Sequence, residues 1–287
     1  DMSMYTMKGA AKVARALALG AALLWPAQSV AQDDGSLWAD AIERGYARVA
    51  LGSAPPWAFI TPTGEIKGHL VEMTQAAAAR LGVEKLEATA TSWDSMIPGL
   101  LAGRFDMLPG GLNITKERCE LVIFSAPLIA SRDSLYVIAG NPLNLEGYAS
   151  VAAHPTARLA VLTGTTQERV ALGYGVDRSR LVGVPDTQAG VAAVTGGRAD
   201  AFALGEYSVT NFADHGLDRI IGHDQPLNGA GVIFKKEDRD ARDAFNRELA
   251  VLRADGTMQN SYETWGFDNW DVLEKLTKAA DIIDSCE

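Results

Sequence analysis

The chain has 287 residues, of which 47% are hydrophobic and 22% are charged, and it carries a formal net charge of -10. This composition is typical of a globular protein and excludes collagen-like, low-complexity and largely disordered chains. The 36 carboxylates outnumber the 26 lysines and arginines, which argues against nucleic acid or anionic lipid as a partner. We therefore expect a small-molecule ligand and a chain long enough for two lobes.

Residues 1–31 have the pattern of an export signal. Lys8, Lys12 and Arg15 precede an apolar run over residues 16–24, and small residues follow Pro26 at the spacing of a cleavage site. The alternative is an amphipathic N-terminal helix. The signal interpretation predicts a periplasmic or secreted protein, and no later segment is apolar for long enough to predict a membrane span.

Hydrophobic periodicity predicts alternating strands and helices in two cycles. In the first cycle the predicted strands are 48–51, 86–90, 105–108 and 134–139, and the predicted helices are 70–81 and 96–102. In the second cycle the predicted strands are 159–162, 181–184, 201–204 and 231–234, and the predicted helices are 166–172 and 188–195, followed by a long C-terminal helical region. This order predicts parallel sheets covered by helices, with the ligand beyond the carboxyl ends of the strands.

The two cycles are similar units joined by extended segments. We therefore predict an α/β fold with two lobes and two hinge-crossing segments. Lobe 1 is placed at 32–138 plus 231–287, and lobe 2 at 139–230. The loops that follow the strands should face a cleft between the lobes.

The sequence lacks the common signatures of hydrolase, zinc and nucleotide sites. It contains no G-x-S-x-G, H-E-x-x-H, C-x-x-C or G-x-x-x-x-G-K-[ST] motif. Its histidines are widely spaced and are interpreted as surface or locally hydrogen-bonded residues: His69, His154, His215 and His223. We expect no metal site and no cofactor.

The two cysteines, Cys119 and Cys286, have no neighbours that would complete a metal site. In an oxidising compartment, two lone thiols favour a disulfide, which would tie the C-terminal tail to the body of the protein. The alternative is a pair of unpaired thiols.

Two segments have the features of an anion-binding site. Gly111 and Arg118 follow the predicted strand 105–108, and an arginine there offers a rigid fork of donors to a carboxylate. Thr165 and Thr166 stand at the start of a predicted helix, where free N–H groups and the helix dipole attract an anion. Together the two segments predict a clamp with one part in each lobe.

Each segment also has a purely structural interpretation. Arg118 could form a surface ion pair with Glu117 or Glu120. Thr165 or Thr166 could serve only as a helix N-cap.

Six motifs in a fixed order resemble the family 3 extracellular solute-binding proteins of ABC importers: 113–118 (NITKER), 124–127 (FSAP), 164–166 (GTT), 197–201 (GRADA), 255–257 (DGT) and 262–266 (YETWG). The resemblance spans the chain beyond the predicted signal. It implies a two-lobed periplasmic-binding-protein clamshell, a monomer that delivers its ligand to an ABC importer permease in the inner membrane. It also implies that Arg118 grips the ligand carboxylate and that Thr166 and its neighbours meet it from lobe 2.

The resemblance also bears on the ligand. Amino-acid-binding members place an acidic residue five positions after the Asp that corresponds to Asp200, to bind the α-ammonium, and that position is Gly205 here. Glu206 is adjacent, and in a strand it would point the other way. Further segments resemble the ectoine and hydroxyectoine binding proteins, and this likeness also implies the Cys119–Cys286 disulfide: 96–104 (MIPGLLAGR), 117–119 (ERC), 140–143 (GNPL) and 184–186 (VPD).

Ectoine carries a carboxylate and a delocalised ring cation, which aromatic faces can bind. Trp57 and Trp93 match aromatic positions of that subfamily, whereas its third aromatic falls on Asn113 and its first-loop acidic residue on Ala54. The alternative for both tryptophans is core packing. The predicted ligand-binding residues are therefore Trp57, Trp93, Gly111, Asn113, Arg118, Thr165, Thr166 and Glu206.

Three functions follow from these observations. The first is an importer's binding protein for a small zwitterionic carboxylate such as ectoine or hydroxyectoine. The second is a polar amino-acid-binding protein in which Glu206 or Asn113 replaces the lost acidic residue. The third is an enzyme like the cyclohexadienyl dehydratases, which share this fold, with Glu206 as general acid.

Overall fold

The computed structural model describes residues 36–222 and 225–287. The predicted signal peptide and His223 lie outside the described residues. Within the described part of the chain, no helix combines the length and the apolar character that a membrane span requires.

The described residues form an alternating series of strands and helices. The helices are α1 Leu37–Arg44, α2 His69–Arg80, α3 Trp93–Leu101, α4 Lys116–Cys119, α5 Tyr148–Ala153, α6 Thr166–Gly173, α7 Thr187–Thr195, α8 Arg239–Ala254, α9 Thr257–Thr264 and α10 Trp270–Leu273. The strands are β1 Ala47–Leu51, β2 Phe59–Ile60, β3 Ile66–Lys67, β4 Leu86–Ala90, β5 Val122–Phe124, β6 Ile129–Ser131, β7 Asp133–Ile138, β8 Leu159–Leu162, β9 Leu181–Val184, β10 Ala201–Gly205, β11 Leu217–Ile221, β12 Asn228–Ala230 and β13 Ile233–Lys235.

Most predicted elements agree with these bounds to within about two residues at each end, but the predicted strand 105–108 is wrong. This segment makes only isolated bridges, from Met107 to Val49 and from Leu108 to Ile233. Between β1 and this segment a side chain supplies part of the pairing, because the Asp106 carboxylate accepts the Arg48 backbone N–H at 2.7 Å. The helix predicted at 96–102 begins earlier, at Trp93.

The larger sheet has five strands in the order β11-β7-β10-β8-β9. Strands β8, β9 and β10 are mutually parallel, as predicted, because a helix connects each to the next. Strand β7 runs antiparallel to both of its neighbours, β10 and β11. Parallel pairing also joins β1 to β4 in the part of the chain that precedes this sheet.

Strand β7 belongs to the five-stranded sheet, although the sequence pattern places residues 134–138 in lobe 1. The preceding strand β6 pairs antiparallel with β12 in a separate two-stranded sheet. We therefore propose that β6 and β12 are the two crossing segments and that the first crossing precedes Asp133. The remaining lobe boundaries stay as predicted.

The lobe 1 core contains the aromatic cluster of Trp38, Phe234 and Phe245, in which Trp38 stacks on Phe245 at a centroid distance of 6.0 Å. Helix α8 contributes Phe245, Leu249 and Leu252 to this core at helical spacing. The five-stranded sheet packs around Tyr148 on one face. On its other face Tyr136 and Phe202 belong to a buried cluster that also contains lobe 1 residues such as Trp93 and Phe124. One hydrophobic cluster therefore continues from lobe 1 onto the five-stranded sheet.

His69 is fully buried in lobe 1, so the expectation that it is a surface residue is wrong. Its Nδ1 lies 2.9 Å from Ser261 Oγ, so it is hydrogen-bonded to a residue of the distant helix α9. Burial lowers the pKa of the His69 imidazole to about 3, which keeps the ring neutral at physiological pH. This position begins α2 and lies within the core.

Cys119 and Cys286 form a disulfide with a Cα–Cα distance of 5.4 Å. The bond joins the end of α4 to the C-terminal tail. Arg242 strengthens this attachment, because its Nη1 donates to the backbone oxygens of Phe124 and Glu287 at 2.9 and 3.1 Å. The tail therefore holds α4, which carries Arg118, against the body of the protein.

Candidate functional site

A cavity of about 60 Å³ lies between residues of lobe 1 and residues of the five-stranded sheet. A buried water requires roughly 10 to 15 Å³, so the cavity has room for several water-sized groups. Seven of the eight predicted ligand-binding residues line it: Trp57, Trp93, Gly111, Asn113, Arg118, Thr165 and Thr166. The structure thus brings together residues that are distant in the sequence.

Arg118 projects into this cavity from the short helix α4. The Thr115 hydroxyl caps that helix by accepting the Arg118 backbone N–H at 3.3 Å, and Arg118 Nη1 donates to the Asn113 carbonyl at 2.7 Å. Burial lowers the pKa of the Arg118 guanidinium to about 10, so it remains charged at neutral pH. Hydrogen bonding to a backbone carbonyl leaves several of its N–H donors available.

No carboxylate among residues 36–222 and 225–287 forms an ion pair with Arg118, and Glu117 pairs instead with Arg169 at 3.3 Å. The alternative interpretation of Arg118 as half of a surface ion pair is therefore wrong. A largely desolvated cation that lacks a counter-ion is costly unless an anion joins it. This side of the cavity is suited to a carboxylate.

The start of helix α6 lies at the same corner of the cavity. Thr165 occupies the N-cap position, but its side chain makes no capping bond, and its hydroxyl donates to the Leu162 carbonyl at 2.7 Å. The first N–H groups of the helix thus lack a side-chain cap, which leaves them available to an anion. Asn113 Nδ2 donates to Thr166 Oγ1 at 2.8 Å and links this corner to the loop before α4.

The two tryptophans belong to the core and also line the cavity. Trp57 stacks on Phe267 at a centroid distance of 3.8 Å, and its Nε1 donates to Ser208 Oγ at 3.3 Å. Trp93 packs directly over Gly52, where an added Cβ would lie 2.7 Å from its ring. Their ring positions are therefore fixed by core contacts.

Gly205 and Glu206 differ in their relation to the cavity. Gly205 lines it, and an added Cβ there would lie 3.1 Å from Ser208 Oγ and 3.4 Å from Ser131 Oγ. Glu206 does not line the cavity, and its carboxylate accepts the Arg132 backbone N–H at 2.9 Å. None of the described lining residues is an aspartate or a glutamate.

Sequence reasoning missed four polar residues that line the cavity: Ser131, Gln167, Thr187 and Ser208. Thr187 Oγ1 is buried and has no hydrogen-bond partner in the described part of the chain, so a ligand could satisfy it. Thr187 is the first residue of α7, directly after the N-cap Asp186. This position at a helix start was the only feature of the sequence that could have marked Thr187 as a site residue. Across residues 36–222 and 225–287, no group of His, Cys, Asp and Glu side chains is arranged to hold a metal ion.

The family model for bacterial extracellular solute-binding proteins, family 3, matches residues 48–269. The chain belongs to this family. A curated relative, the "Probable amino-acid ABC transporter periplasmic-binding protein y4tE" of Sinorhizobium fredii, is 32% identical over 221 residues, which are 73% of each protein.

Two solved structures of this family are also similar. EhuB in complex with hydroxyectoine has a TM-score of 0.81 and 30% identity, over 87% of this chain and 98% of EhuB. The ancestral amino acid-binding protein AncCDT-1, described as a precursor of cyclohexadienyl dehydratase, has a TM-score of 0.72 and 27% identity, over 80% and 99% of the two chains. The α/β fold with two lobes is therefore confirmed at the level of the family.

Replacing Arg118 with methionine should leave the free energy of unfolding of the ligand-free protein unchanged or raise it by about 1 kcal/mol, because an unpaired desolvated charge is removed. Urea denaturation of both proteins without ligand measures this difference. A loss of more than about 2 kcal/mol would show that Arg118 serves the fold rather than a ligand.

Proposed function

We propose that this protein is the periplasmic substrate-binding component of an ABC importer and captures a small zwitterionic carboxylate, such as ectoine or hydroxyectoine, by closure of its two lobes. The observation that carries this proposal is the Arg118 guanidinium, which has no carboxylate partner within the described residues and lines the same cavity as the start of α6, where no side-chain cap is present. A carboxylate bound there would neutralise the cation and accept the free N–H groups of the helix.

The nitrogen end of such a ligand would face a lining that has no carboxylate among the described residues. A compact ammonium is strongly hydrated, and it would lose that hydration without gaining a counter-ion. A delocalised cation binds instead to aromatic faces, at roughly 0.5 to 2 kcal/mol for each, and Trp57 and Trp93 both line the cavity. The similarity to EhuB, which was solved with hydroxyectoine, supports this ligand class.

A polar amino acid is the alternative ligand. The names of the Sinorhizobium fredii protein and of the ancestral amino acid-binding protein favour it. In that case the Asn113 and Gln167 carbonyl oxygens and the Ser131 and Ser208 hydroxyls would have to hold the ammonium. A dehydratase function has less support, because the proposed general acid Glu206 lies outside the lining.

The proposed partner is an ABC permease in the inner membrane, which would receive the ligand from the monomeric binding protein. The proposed location is the periplasm, reached through cleavage of the predicted signal at residues 1–31. Both proposals agree with the periplasmic-binding protein named among the relatives.

Calorimetric titration with ectoine, hydroxyectoine, betaines and polar amino acids tests this function. One of these zwitterions should bind, and Arg118→Met should weaken that binding by about 2 to 5 kcal/mol, because the buried carboxylate loses its charged partner. The matched control is Arg169→Met, which removes a neighbouring arginine whose ion pair with Glu117 is exposed and which does not line the cavity. Binding of only sugars, dicarboxylates or metals by the wild type would contradict the proposal, as would equal affinities in wild type and Arg118→Met.

Replacing Gly205 with aspartate separates the two ligand classes. The new carboxylate would stand at the cavity lining beside the Ser208 and Ser131 hydroxyls, which lie 3.1 and 3.4 Å from the added Cβ. We expect Gly205→Asp to bind L-glutamine at least about tenfold more tightly than the wild type does, because the ammonium gains a counter-ion. Gly205→Asn has nearly the same volume and no charge, so it should show no such gain. Wild-type protein that already prefers glutamine to ectoine would instead support the amino-acid alternative.

A further inference from the structure

Gln167 is the second residue of helix α6 and lines the cavity while being only 5% exposed. Its side-chain Nε2 donates to Asp133 Oδ1 at 2.8 Å. Gln167 therefore connects the lining of the cavity to a buried carboxylate behind it.

Asp133 is 3% exposed and begins strand β7, directly after the proposed crossing segment β6. Besides Gln167, it accepts hydrogen bonds from Tyr148 Oη at 2.9 Å and from Asn228 Nδ2 at 3.0 Å. No lysine or arginine of the described chain forms an ion pair with it. Three donors therefore converge on the Asp133 carboxylate, which in its ionised form accepts hydrogen bonds and cannot donate them.

This arrangement fixes which way the Gln167 amide faces. If the amide were rotated by half a turn, its carbonyl oxygen would meet the Asp133 carboxylate, and two acceptors would repel each other. With the NH₂ group held by Asp133, the Gln167 Oε1 faces the opposite side. There it accepts from Thr166 Oγ1 at 3.3 Å, and Thr166 is itself a cavity residue.

A carbonyl oxygen has two lone pairs, and the Thr166 hydroxyl occupies one of them. The second is available to a donor in the cavity. Because Gln167 directly follows Thr166, this acceptor lies close to the corner that is suited to the ligand carboxylate. A nitrogen on the carbon that bears the carboxylate would place its N–H within reach of the acceptor, and one ring nitrogen of ectoine has this position.

We propose that Gln167 is a specificity-determining residue that accepts a hydrogen bond from an N–H group of the ligand, and that Asp133 is the positioning residue that fixes its orientation. This inference rests on the proposed function. It narrows the ligand class to carboxylates whose nearby nitrogen carries a hydrogen. Fully N-methylated nitrogens cannot make this bond.

Titration of ectoine into wild type and two variants tests the inference. Gln167→Met keeps the length of the side chain but removes the acceptor, and we expect affinity to fall about tenfold, as for loss of one hydrogen bond to a charged group. Asp133→Asn should weaken binding to a similar extent. An asparagine amide can pair with either the NH₂ group or the carbonyl oxygen of Gln167, so it no longer fixes the orientation of the Gln167 amide. The control is Gln259→Met, which removes a glutamine amide that donates to Glu263 on helix α9, away from the cavity, and should leave the affinity for ectoine unchanged.

The double variant separates positioning from a general structural role. If Asp133 acts through Gln167, the combined variant should lose no more affinity than Gln167→Met alone. Additive losses would overturn the positioning role, and an unchanged affinity in Gln167→Met would overturn the whole inference while the proposed function stands. If the wild type does not bind ectoine at all, the proposed ligand is wrong and this inference falls with it.

A measurement on the wild type keeps the test independent of whether Asp133→Asn folds. The Gln167 NH₂ resonances, assigned by their absence from the spectrum of Gln167→Met, should exchange slowly with solvent both with and without ectoine, because Asp133 holds them in each state. Exchange as fast as that of an exposed glutamine would overturn the role of Asp133.

Discussion

The charge of Arg118 is the constraint on which the site depends. Its guanidinium is partly buried, and within the described residues it has a backbone carbonyl but no carboxylate as a partner. Such a group is costly to the ligand-free protein, and the cost is offset when an anion binds. The surrounding structure is arranged to keep that charge in place: Thr115 caps α4, and the Cys119–Cys286 disulfide attaches the end of the same helix to the tail.

From this cation, a continuous series of hydrogen bonds runs to the proposed crossing segment β12. Arg118 donates to the Asn113 carbonyl, and Asn113 Nδ2 donates to Thr166 Oγ1. Thr166 donates in turn to Gln167, and Gln167 donates to Asp133. Asn228 of strand β12 also donates to Asp133, which itself lies two residues after the other proposed crossing segment, β6. A ligand that binds at Arg118 would therefore contact a network that reaches β12.

The sequence was sufficient for the features that depend on local pattern. Buried parallel strands such as β8 and the helices that follow them show strong periodicity, so their bounds were predictable to within a few residues. Thr165 and Thr166 stand at a helix start, as their pattern predicted, and line the cavity. Arg118 also lines the cavity, although the strand after which it was placed is not formed. The short segment around Met107 was misassigned as a strand. Its residues are apolar, but single bridges and the Asp106 carboxylate join it to its neighbours, and it forms no strand ladder.

The rest of the site depends on contacts between residues that are distant in the sequence. Ser131 reaches the cavity from the end of β6 and Ser208 from the segment after β10, and the orientation of Gln167 depends on Asp133, which lies 34 positions earlier. No local pattern distinguishes such residues from other polar residues near strand ends. The buried His69 was misinterpreted for the same reason, because its partner Ser261 comes from α9, far along the chain.

The most direct test of this account is a crystal structure of the protein with ectoine bound. The account predicts a ligand carboxylate within hydrogen-bond distance of the Arg118 guanidinium and of the first backbone N–H groups of α6, with the ring between Trp57 and Trp93. A ligand whose carboxylate lies elsewhere, with Arg118 still lacking an anionic partner, would contradict it.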